Sequence, residues 1–314
     1  MKTVVGILCS DLHLCHSAPS CREEEPCWYD VQRRVLQEVI DAANQYKCPL
    51  IIAGDIFDRW ASAPELINFA IDMFRCVDTI VYTIPGQHDL PNHDYDQMYR
   101  SAYGSLVKAR AIESLDPDEP TSYSAPGFGK IYLHAFPWGK SIRPIAPRQL
   151  PETLHLAVVH KYIWRKGSSY PGAAEEANYT HLSKELTGYH AAVFGDNHKG
   201  FLARIPREDN DTFVLNNGTM MRRKTDEVAY QPQYGLFLSN GTIETVLLKT
   251  KDDIIIVPKK DDTVEIDSDL FHAYLSGLRG LEAGAIDYRE QVLRVLSERQ
   301  VRDEVKEYIL GAMG

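Results

Sequence analysis

The sequence predicts an α/β protein with two packed, mixed β-sheets flanked by helices and a small C-terminal helical segment. Strand-like and helical patterns alternate in the first half, strand-like runs dominate the second half, and helical spacing returns at the end. With 314 residues, 44% of them hydrophobic, the chain can bury one large core with a small appendage. We predict a main domain over 1–250, a linker over 251–266 and a helical segment over 267–314.

The first half reads as a series of β-α-β units. Strands are predicted at 3–10, 50–53 and 79–84, with helices at 30–46 and 64–75 between them. In the first helix the apolar residues recur at helical spacing, at Val31, Val35, Leu36, Val39 and Ile40. Such crossovers favour parallel strands that are buried on both faces.

The second half is richer in strands, and we predict a second sheet that packs on the first. The predicted strands are 130–135, 154–160, 191–195, 212–216, 234–238 and 242–248. Asn240-Gly241 between the last two is a strong hairpin signal, because both residues accept positive φ angles.

Charge and cysteine usage restrict the protein's environment and its substrates. The net charge is −10, so a polyanionic substrate must be held by local basic residues such as those in 161–166. No apolar run reaches the roughly 20 residues of a membrane span, so we expect no membrane association. The six cysteines lie in the first quarter of a large chain, which favours the reducing cytoplasm. Cys15, Cys21, Cys27 and His16 lack a close Cys-x-x-Cys pair, so an ordinary loop is preferred over a zinc site.

Metal-ligand residue types follow five predicted strands. They are Asp11 and His13, Asp55 and Asp58, Gln87 to Asp89, His160, and Asp196 with His198. Because ligands bind at the carboxyl ends of parallel strands, these side chains should converge on one crevice. Glycines at 54, 86 and 195 allow the backbone to bend sharply there. The other histidines, His93 among them, lack this context and are expected to be structural or on the surface.

The order Asp-x-His, Gly-Asp-x-x-Asp, Gly-x-His-Asp, His, Gly-x-x-His resembles the calcineurin-like metallophosphoesterase family across about residues 3–200. Within it, Gly-Gln-His-Asp-Leu-Pro-Asn-His at 86–93, Gly-Asp-Asn-His-Lys at 195–199 and Asn-Gly-Thr-Met-Met-Arg-Arg at 217–223 are similar to phage and bacterial SbcD-type DNA repair exonucleases. The resemblance implies the calcineurin-like sandwich fold, with 1–250 as the catalytic domain.

The resemblance also implies two divalent metal ions. One would be held by Asp11, His13, Asp55 and His198, and the other by Asp55, Gln87, His160 and Asp196, so that Asp55 bridges them. Two residues depart from the family pattern, which more often has Asn at position 87 and His at position 196. A carboxylate in place of an imidazole makes the site harder, so manganese is expected, with magnesium as the alternative, rather than zinc.

Two nearby cations would activate a water to hydroxide and neutralise the phosphate during in-line attack. His88 matches the family histidine near the leaving oxygen, and Asp89 could orient it from behind. Asp58 is expected behind the ligands. Arg222, Arg223 and Lys199 are candidates for contacts with backbone phosphates. The leading function is therefore a manganese-dependent DNA exonuclease or endonuclease subunit.

Partners and alternatives follow from the same resemblance. SbcD-type proteins bind an SbcC-type ATPase through a segment after the core, and the apolar spacing in 267–311 fits helix-in-groove docking. The alternative is that these helices simply pack on each other or on the second sheet. A homodimer is also considered. Two other functions remain open: a phosphodiesterase of small nucleotides, favoured by the acidic net charge, and a weakly active scaffold for a partner ATPase, suggested by Gln87 and Asp196.

Overall fold

The computed structural model describes residues 2–146, 152–170, 172–207 and 211–257. The described strands are β1 Val4–Cys9, β2 Leu50–Ala53, β3 Val81–Ile84, β4 Glu113–Ser114, β5 Thr121–Ser124, β6 Lys130–Phe136, β7 Thr153–His160, β8 Ala191–Gly195, β9 Phe201–Ile205, β10 Thr212–Asn216, β11 Gln233–Leu238 and β12 Ile243–Leu247. The described α-helices are α1 Trp28–Tyr46, α2 Pro64–Phe74 and α3 Ala102–Lys108. Short 3₁₀ turns, including Gln87–Asp89, complete the connections.

Two six-stranded mixed sheets form the molecule, in the orders β12-β11-β1-β2-β3-β4 and β5-β6-β7-β8-β10-β9. In the first sheet β1 to β4 are parallel, β11 lies antiparallel beside β1, and β12 lies antiparallel beside β11 at the sheet edge. In the second sheet β6, β7, β8 and β10 are parallel, with antiparallel edge strands β5 and β9. The predicted pair of mixed sheets is confirmed.

Strand β2 shows how the layers are held together. Its apolar run is continuous because both faces are buried: Leu50 and Ile52 pack toward the helices, whereas Ile51 and Ala53 pack toward the second sheet. Full burial of each large aliphatic side chain contributes about 1.5–3 kcal/mol. A further apolar layer covers the other face of the second sheet and includes Phe194 of β8. The sandwich interior therefore fixes where the strand ends lie.

Helix α1 packs on the first sheet with the face that its periodicity predicts. The five apolar residues named from the sequence are all buried. The helix ends at Tyr46, and the left-handed conformation of the next residue, Lys47, turns the backbone toward β2. The sequence placed this helix within two residues of its observed start.

The hairpin predicted at Asn240-Gly241 is confirmed, with Gly241 at φ 80°. Its assignment to the second sheet is wrong, because β11 pairs with β1 of the first sheet. Without β11, strand β1 would leave a row of backbone groups unpaired at a sheet edge. The sequence analysis also missed α3, β4, β5 and β9, which are short or polar and carry a weak periodic signal.

Residues 251–257, the first part of the predicted linker, are held against the main domain. Asp253 accepts hydrogen bonds from Arg34 and Arg222 and forms a 3.0 Å ion pair with Arg22. The backbone N–H of Ile256 donates to the carbonyl of Cys21. The rest of the linker and the segment 267–314 lie outside the described residues, so those boundaries stay predictions.

Candidate metal centre

The predicted ligand residues meet where the two sheets present the carboxyl ends of their parallel strands. The loops after β1 and β8 touch across the sandwich, because the N–H of Asp196 donates to Oδ1 of Asp11 over 2.9 Å. The last residues of β2 and β7 touch as well, since Nδ1 of His160 donates to the carbonyl of Ala53 over 2.7 Å. Gln87, which follows β3, donates to Asp196, so the ends of five separate strands meet at one crevice.

Asp55 lies at the middle of this crevice. Its Oδ2 is 3.7 Å from Nε2 of His13 and 3.4 Å from Nε2 of His160. Its Oδ1 accepts the backbone N–H of His88 over 3.0 Å. One buried carboxylate therefore faces both halves of the site, which is the position that a bridging ligand requires.

The first half of the site contains Asp11, His13 and His198. The Nε2 atoms of His13 and His198 are 3.0 Å apart, and Nε2 of His13 is 3.9 Å from Oδ1 of Asp11. Two imidazole nitrogens at this distance require a shared proton or a shared cation between them. Ligand atoms of all three residues lie within 4.8 Å of one another.

The second half contains His160, Gln87 and Asp196. Because Nδ1 of His160 donates to a backbone carbonyl, its Nε2 is directed into the site. This Nε2 is 2.6 Å from Oε1 of Gln87, and Nε2 of Gln87 donates to Oδ1 of Asp196 over 2.8 Å. The two residues that depart from the family pattern are thus bonded to each other.

Backbone strain is concentrated at the predicted ligands, a feature that the sequence does not reveal. Asp11, His13, Asp55 and Asp196 have φ angles of 51°, 44°, 53° and 95°. Such conformations cost on the order of 1–3 kcal/mol each for a residue other than glycine, and in proteins they cluster at functional sites. The packed sandwich holds these residues in conformations that point their side chains at one another.

Gly54 and Gly86, two of the glycines predicted at the strand ends, are required because a side chain there would clash with a predicted ligand. A Cβ on Gly54 would lie 2.2 Å from Nδ1 of His160, and Gly54 also has φ +88°. A Cβ on Gly86 would lie 2.1 Å from Oδ1 of Asp55. Any side chain at either position would displace a ligand.

The electrostatics of the crevice favour bound positive charge. Burial raises the pKa of Asp11 to about 6, against the opposing effect of His160 and His198. For His160, burial opposes protonation, but Asp55 outweighs it and raises the pKa to about 10. Burial lowers the pKa of His13 well below its ordinary value, which keeps this imidazole neutral and able to bind a cation.

The donor atoms fit divalent cations. Oδ2 of Asp55 is buried and accepts no hydrogen bond from any residue that the structure describes, although two imidazoles surround it. A cation between these groups would satisfy that oxygen and separate the facing nitrogens of His13 and His198. Overlapping sets of close ligand atoms are formed by Asp11, His13 and His198, by His13, Asp55 and His88, and by Asp11, Asp55 and His160. Carboxylates mixed with imidazoles bind divalent metal ions.

His88 lies at the exposed rim of the crevice, and its orientation corrects one prediction. Its Nδ1 donates to the carbonyl of Asp58 over 2.9 Å. Asp89, which was predicted to orient His88, accepts backbone N–H groups from Ile56, Phe57 and Gly86 with its carboxylate. The main-chain carbonyl of Asp58 therefore orients the His88 ring, whereas Asp89 holds the β2 and β3 loops together.

The three residues predicted to bind phosphate, Arg222, Arg223 and Lys199, have different surroundings. Arg222 donates to Asp253 and to the carbonyls of Val228 and Thr250, so its guanidinium makes structural contacts, which corrects its predicted role in substrate binding. Arg223 donates to Oδ1 of Asp58 over 2.7 Å beside the ligands. Lys199 is exposed and directly follows His198.

Sequence reasoning missed residues that support the ligands from behind. Glu227 accepts the N–H groups of Arg223 and Lys224, and its Oε1 is 3.8 Å from Nδ1 of His198. Ser10 donates to Oδ2 of Asp11. No local pattern marks either residue, because their roles depend on long-range contacts. His93, expected to be structural or on the surface, places its Nδ1 3.1 Å from the carbonyl of Gln87.

Comparison with known proteins agrees with this site. Residues 7–200 match the model of the calcineurin-like phosphoesterase family, and the chain belongs to that family. It is a metallophosphoesterase, a class that hydrolyses phosphoesters with divalent metals. No curated protein matches the chain. Among solved structures it is similar to a 5'-nucleotidase precursor from Thermus thermophilus, with 11% identity and a TM-score of 0.45 over 90% of this chain. The match covers 60% of that structure's length.

Within the described ranges, no helix is both long enough and apolar enough to cross a membrane.

Proposed function

We propose that this protein is a manganese-dependent phosphodiesterase that cleaves DNA. The observation that carries the proposal is the position of two lysines. Lys161 directly follows His160 and Lys199 directly follows His198, and both lysines are exposed. A metal centre in which a lysine follows each of two metal ligands suits a substrate that continues as a polyanion on both sides of the reacting phosphate.

The residues of the crevice have distinct tasks in this reaction. When bound, two divalent cations would neutralise the phosphate and lower the pKa of an attacking water. Asp55 faces both halves of the site and offsets the repulsion between two such charges. Nδ1–H of His88 donates to the carbonyl of Asp58, so the other ring nitrogen stays available, and in the imidazolium form it would donate its proton to the leaving oxygen.

Local basic groups compensate for the acidic net charge of −10. Besides the two lysines, Lys166 is exposed in the loop that follows β7. Arg165 in the same loop donates to the carbonyl of Leu202, which fixes the direction of the loop. DNA would therefore be held by these basic groups and repelled by the rest of the acidic surface.

A cleavage assay on defined single- and double-stranded DNA with manganese tests the proposal. We expect cleavage with manganese and none with excess chelator. The double variant Lys161→Glu/Lys199→Glu should lose at least about tenfold in rate on DNA. It should keep its rate on the small diester bis(p-nitrophenyl) phosphate, which has no polyanionic extension.

Lys108→Glu is the matched control, because Lys108 is also an exposed lysine but lies on α3 and does not follow a predicted metal ligand. It should leave both activities unchanged. No cleavage of any DNA, or an equal loss of the double variant on both substrates, would overturn the assignment of DNA as substrate.

A phosphodiesterase of small nucleotides is the second candidate, and a cavity favours it. A space of about 380 Å³ opens beside Asp58 and Arg223 and is also lined by Cys15, His16 and Arg59. It has the size and polarity to take a nucleobase and its sugar. Faster hydrolysis of a cyclic dinucleotide than of DNA at equal concentration would favour this function.

We further propose that residues 267–314 bind an SbcC-like ATPase and that the protein acts in the cytoplasm, where its six cysteines stay free. The truncation that tests docking should end after Val257. Ending it at Lys251 would remove Asp253 and leave Arg22, Arg34 and Arg222 without their shared carboxylate. We expect the truncated chain to keep nuclease activity and lose ATPase binding; a truncated chain that still binds the ATPase would exclude this docking segment.

A further inference from the structure

Gln87 links His160 and Asp196, the other two residues in the second half of the metal centre. Its Oε1 is 2.6 Å from Nε2 of His160, and its Nε2 donates to Oδ1 of Asp196 over 2.8 Å. The orientation of the amide is determined by chemistry. An ionised carboxylate only accepts hydrogen bonds, so the NH₂ group must face Asp196 and the carbonyl must face His160.

In the first half of the centre the internal contact joins two imidazoles, and no amide takes part in it. Nε2 of His13 faces Nε2 of His198 at 3.0 Å, an arrangement that a cation between them would relieve. Oδ2 of Asp55, which faces both halves, accepts no hydrogen bond within the described part of the chain. A cation entering beside His13 and His198 would therefore displace no side-chain amide.

The backbone around Gln87 fixes the reach of its side chain. The carbonyl of Gln87 lies 3.1 Å from Nδ1 of His93. The preceding Gly86 N–H donates to the buried carboxylate of Asp89. An Asn at position 87 would be shorter by one carbon–carbon bond, about 1.5 Å, and from the same backbone its amide would not span His160 and Asp196.

We propose that Gln87 makes the two halves of the centre unequal in their affinity for Mn²⁺. The Gln87 amide holds His160 and Asp196 together, and a cation in that half must break both contacts to reach the ligand atoms. The half built from Asp11, His13 and His198 fills first, and the half closed by Gln87 fills at higher metal concentration. The inference rests on the metal centre of the proposed function and not on the choice of DNA as substrate.

Calorimetric titration of the full chain with Mn²⁺ tests this inference, with the variant Gln87→Asn and the control Gln37→Asn. Gln37 is a helix α1 residue whose amide bonds to Asp41, away from the strand ends. For the natural chain we expect two sites whose dissociation constants differ by at least about tenfold. Gln87→Asn should tighten the weaker site by about tenfold and leave the tighter one within twofold, and the control should change neither.

Electron paramagnetic resonance of Mn²⁺ gives a second readout that does not depend on activity. With one equivalent of metal, the natural chain should show the spectrum of an isolated ion, whereas Gln87→Asn should show more of the spin-coupled pair. Gln87→Ala, which removes the amide altogether, should bind the second ion no more weakly than the natural chain.

Three outcomes would overturn the inference or its basis. Equal affinities in the natural chain would show that Gln87 does not separate the sites. Weaker second-site binding in Gln87→Asn or Gln87→Ala would show that Gln87 acts chiefly as a ligand. Failure of the natural chain to bind any Mn²⁺ would remove the metal centre itself and the proposed function with it.

Discussion

Gly86→Ala should inactivate the protein through a single methyl group. The added Cβ would lie 2.1 Å from Oδ1, 2.7 Å from Cγ and 2.7 Å from the backbone nitrogen of Asp55. Gly86 has φ −92° and ψ −177°, which alanine adopts without strain, so the effect is purely steric. Because real Cβ contacts do not fall below 3.0 Å, Asp55 must move by about 0.9 Å or more.

That displacement sets the magnitude of the effect. A shift of about 1 Å in a group that positions the reaction can cost about a hundredfold in rate. Overpacking of a buried site costs roughly 1–3 kcal/mol of stability. We therefore expect hydrolysis of bis(p-nitrophenyl) phosphate to fall about a hundredfold and bound manganese to fall below that of the natural chain, while circular dichroism still reports a folded protein.

The control separates catalysis from stability. A Cβ on Gly127 meets nothing within 4 Å, but Gly127 has φ +73° and its replacement by alanine carries backbone strain. Gly127→Ala should lose stability of the same order, roughly 1–2 kcal/mol, and keep full activity. Full activity and metal content in Gly86→Ala would refute the argument that Asp55 must stay where the structure places it.

Four further predictions concern the same centre. Asp55→Asn should abolish hydrolysis and reduce metal content on elemental analysis, because one carboxylate serves both ions; normal turnover would exclude this site. His88→Ala should retain metal and lose activity by roughly a hundredfold, and simultaneous loss of metal would show that His88 is a ligand. Asp89→Asn should lower the stability to unfolding by about 1–3 kcal/mol, since one amide oxygen cannot accept all the N–H groups that the carboxylate accepts; a lost activity at unchanged melting temperature would contradict that structural role. Manganese at a hundred times its dissociation constant should stabilise the chain by about 2.7 kcal/mol over the chelated form in thermal unfolding, and Asp55→Asn should remove most of this difference.

The order of the strands and of the ligand residues could be predicted because it depends on local sequence patterns. Continuous apolar runs such as β2 indicate strands that are buried on both faces, and their observed bounds agree closely with the prediction. Since parallel strands present their carboxyl ends at one edge, the residues after them were expected to converge, and the contacts of Asp55 with His13 and His160 agree with that expectation.

The pairing of the last hairpin could not be predicted in the same way. The Asn-Gly turn determines that β11 and β12 pair with each other. It contains no information about which sheet they join, because that choice depends on which strand elsewhere in the fold needs an edge partner. In this protein the strand is β1.

The roles of individual polar residues also required the tertiary structure. Asp89 follows His88 in sequence, yet its carboxylate turns toward backbone N–H groups from two loops. Arg222 and Arg223 are adjacent, yet one contacts Asp253 and the other contacts Asp58. Neighbours in sequence point in different directions, so their partners are set by what packs around them.

The sequence by itself determined the chemistry of this protein: its carboxylates, imidazoles and glycines, their order, and the strands that they follow. Only the tertiary structure decided which of these atoms face one another, and it did so partly against local preference. Asp11, His13 and Asp55 have left-handed backbone conformations that their own sequences would not favour. The packing of two sheets supplies the free energy that holds them there, and that free energy is a property of the whole fold rather than of any segment.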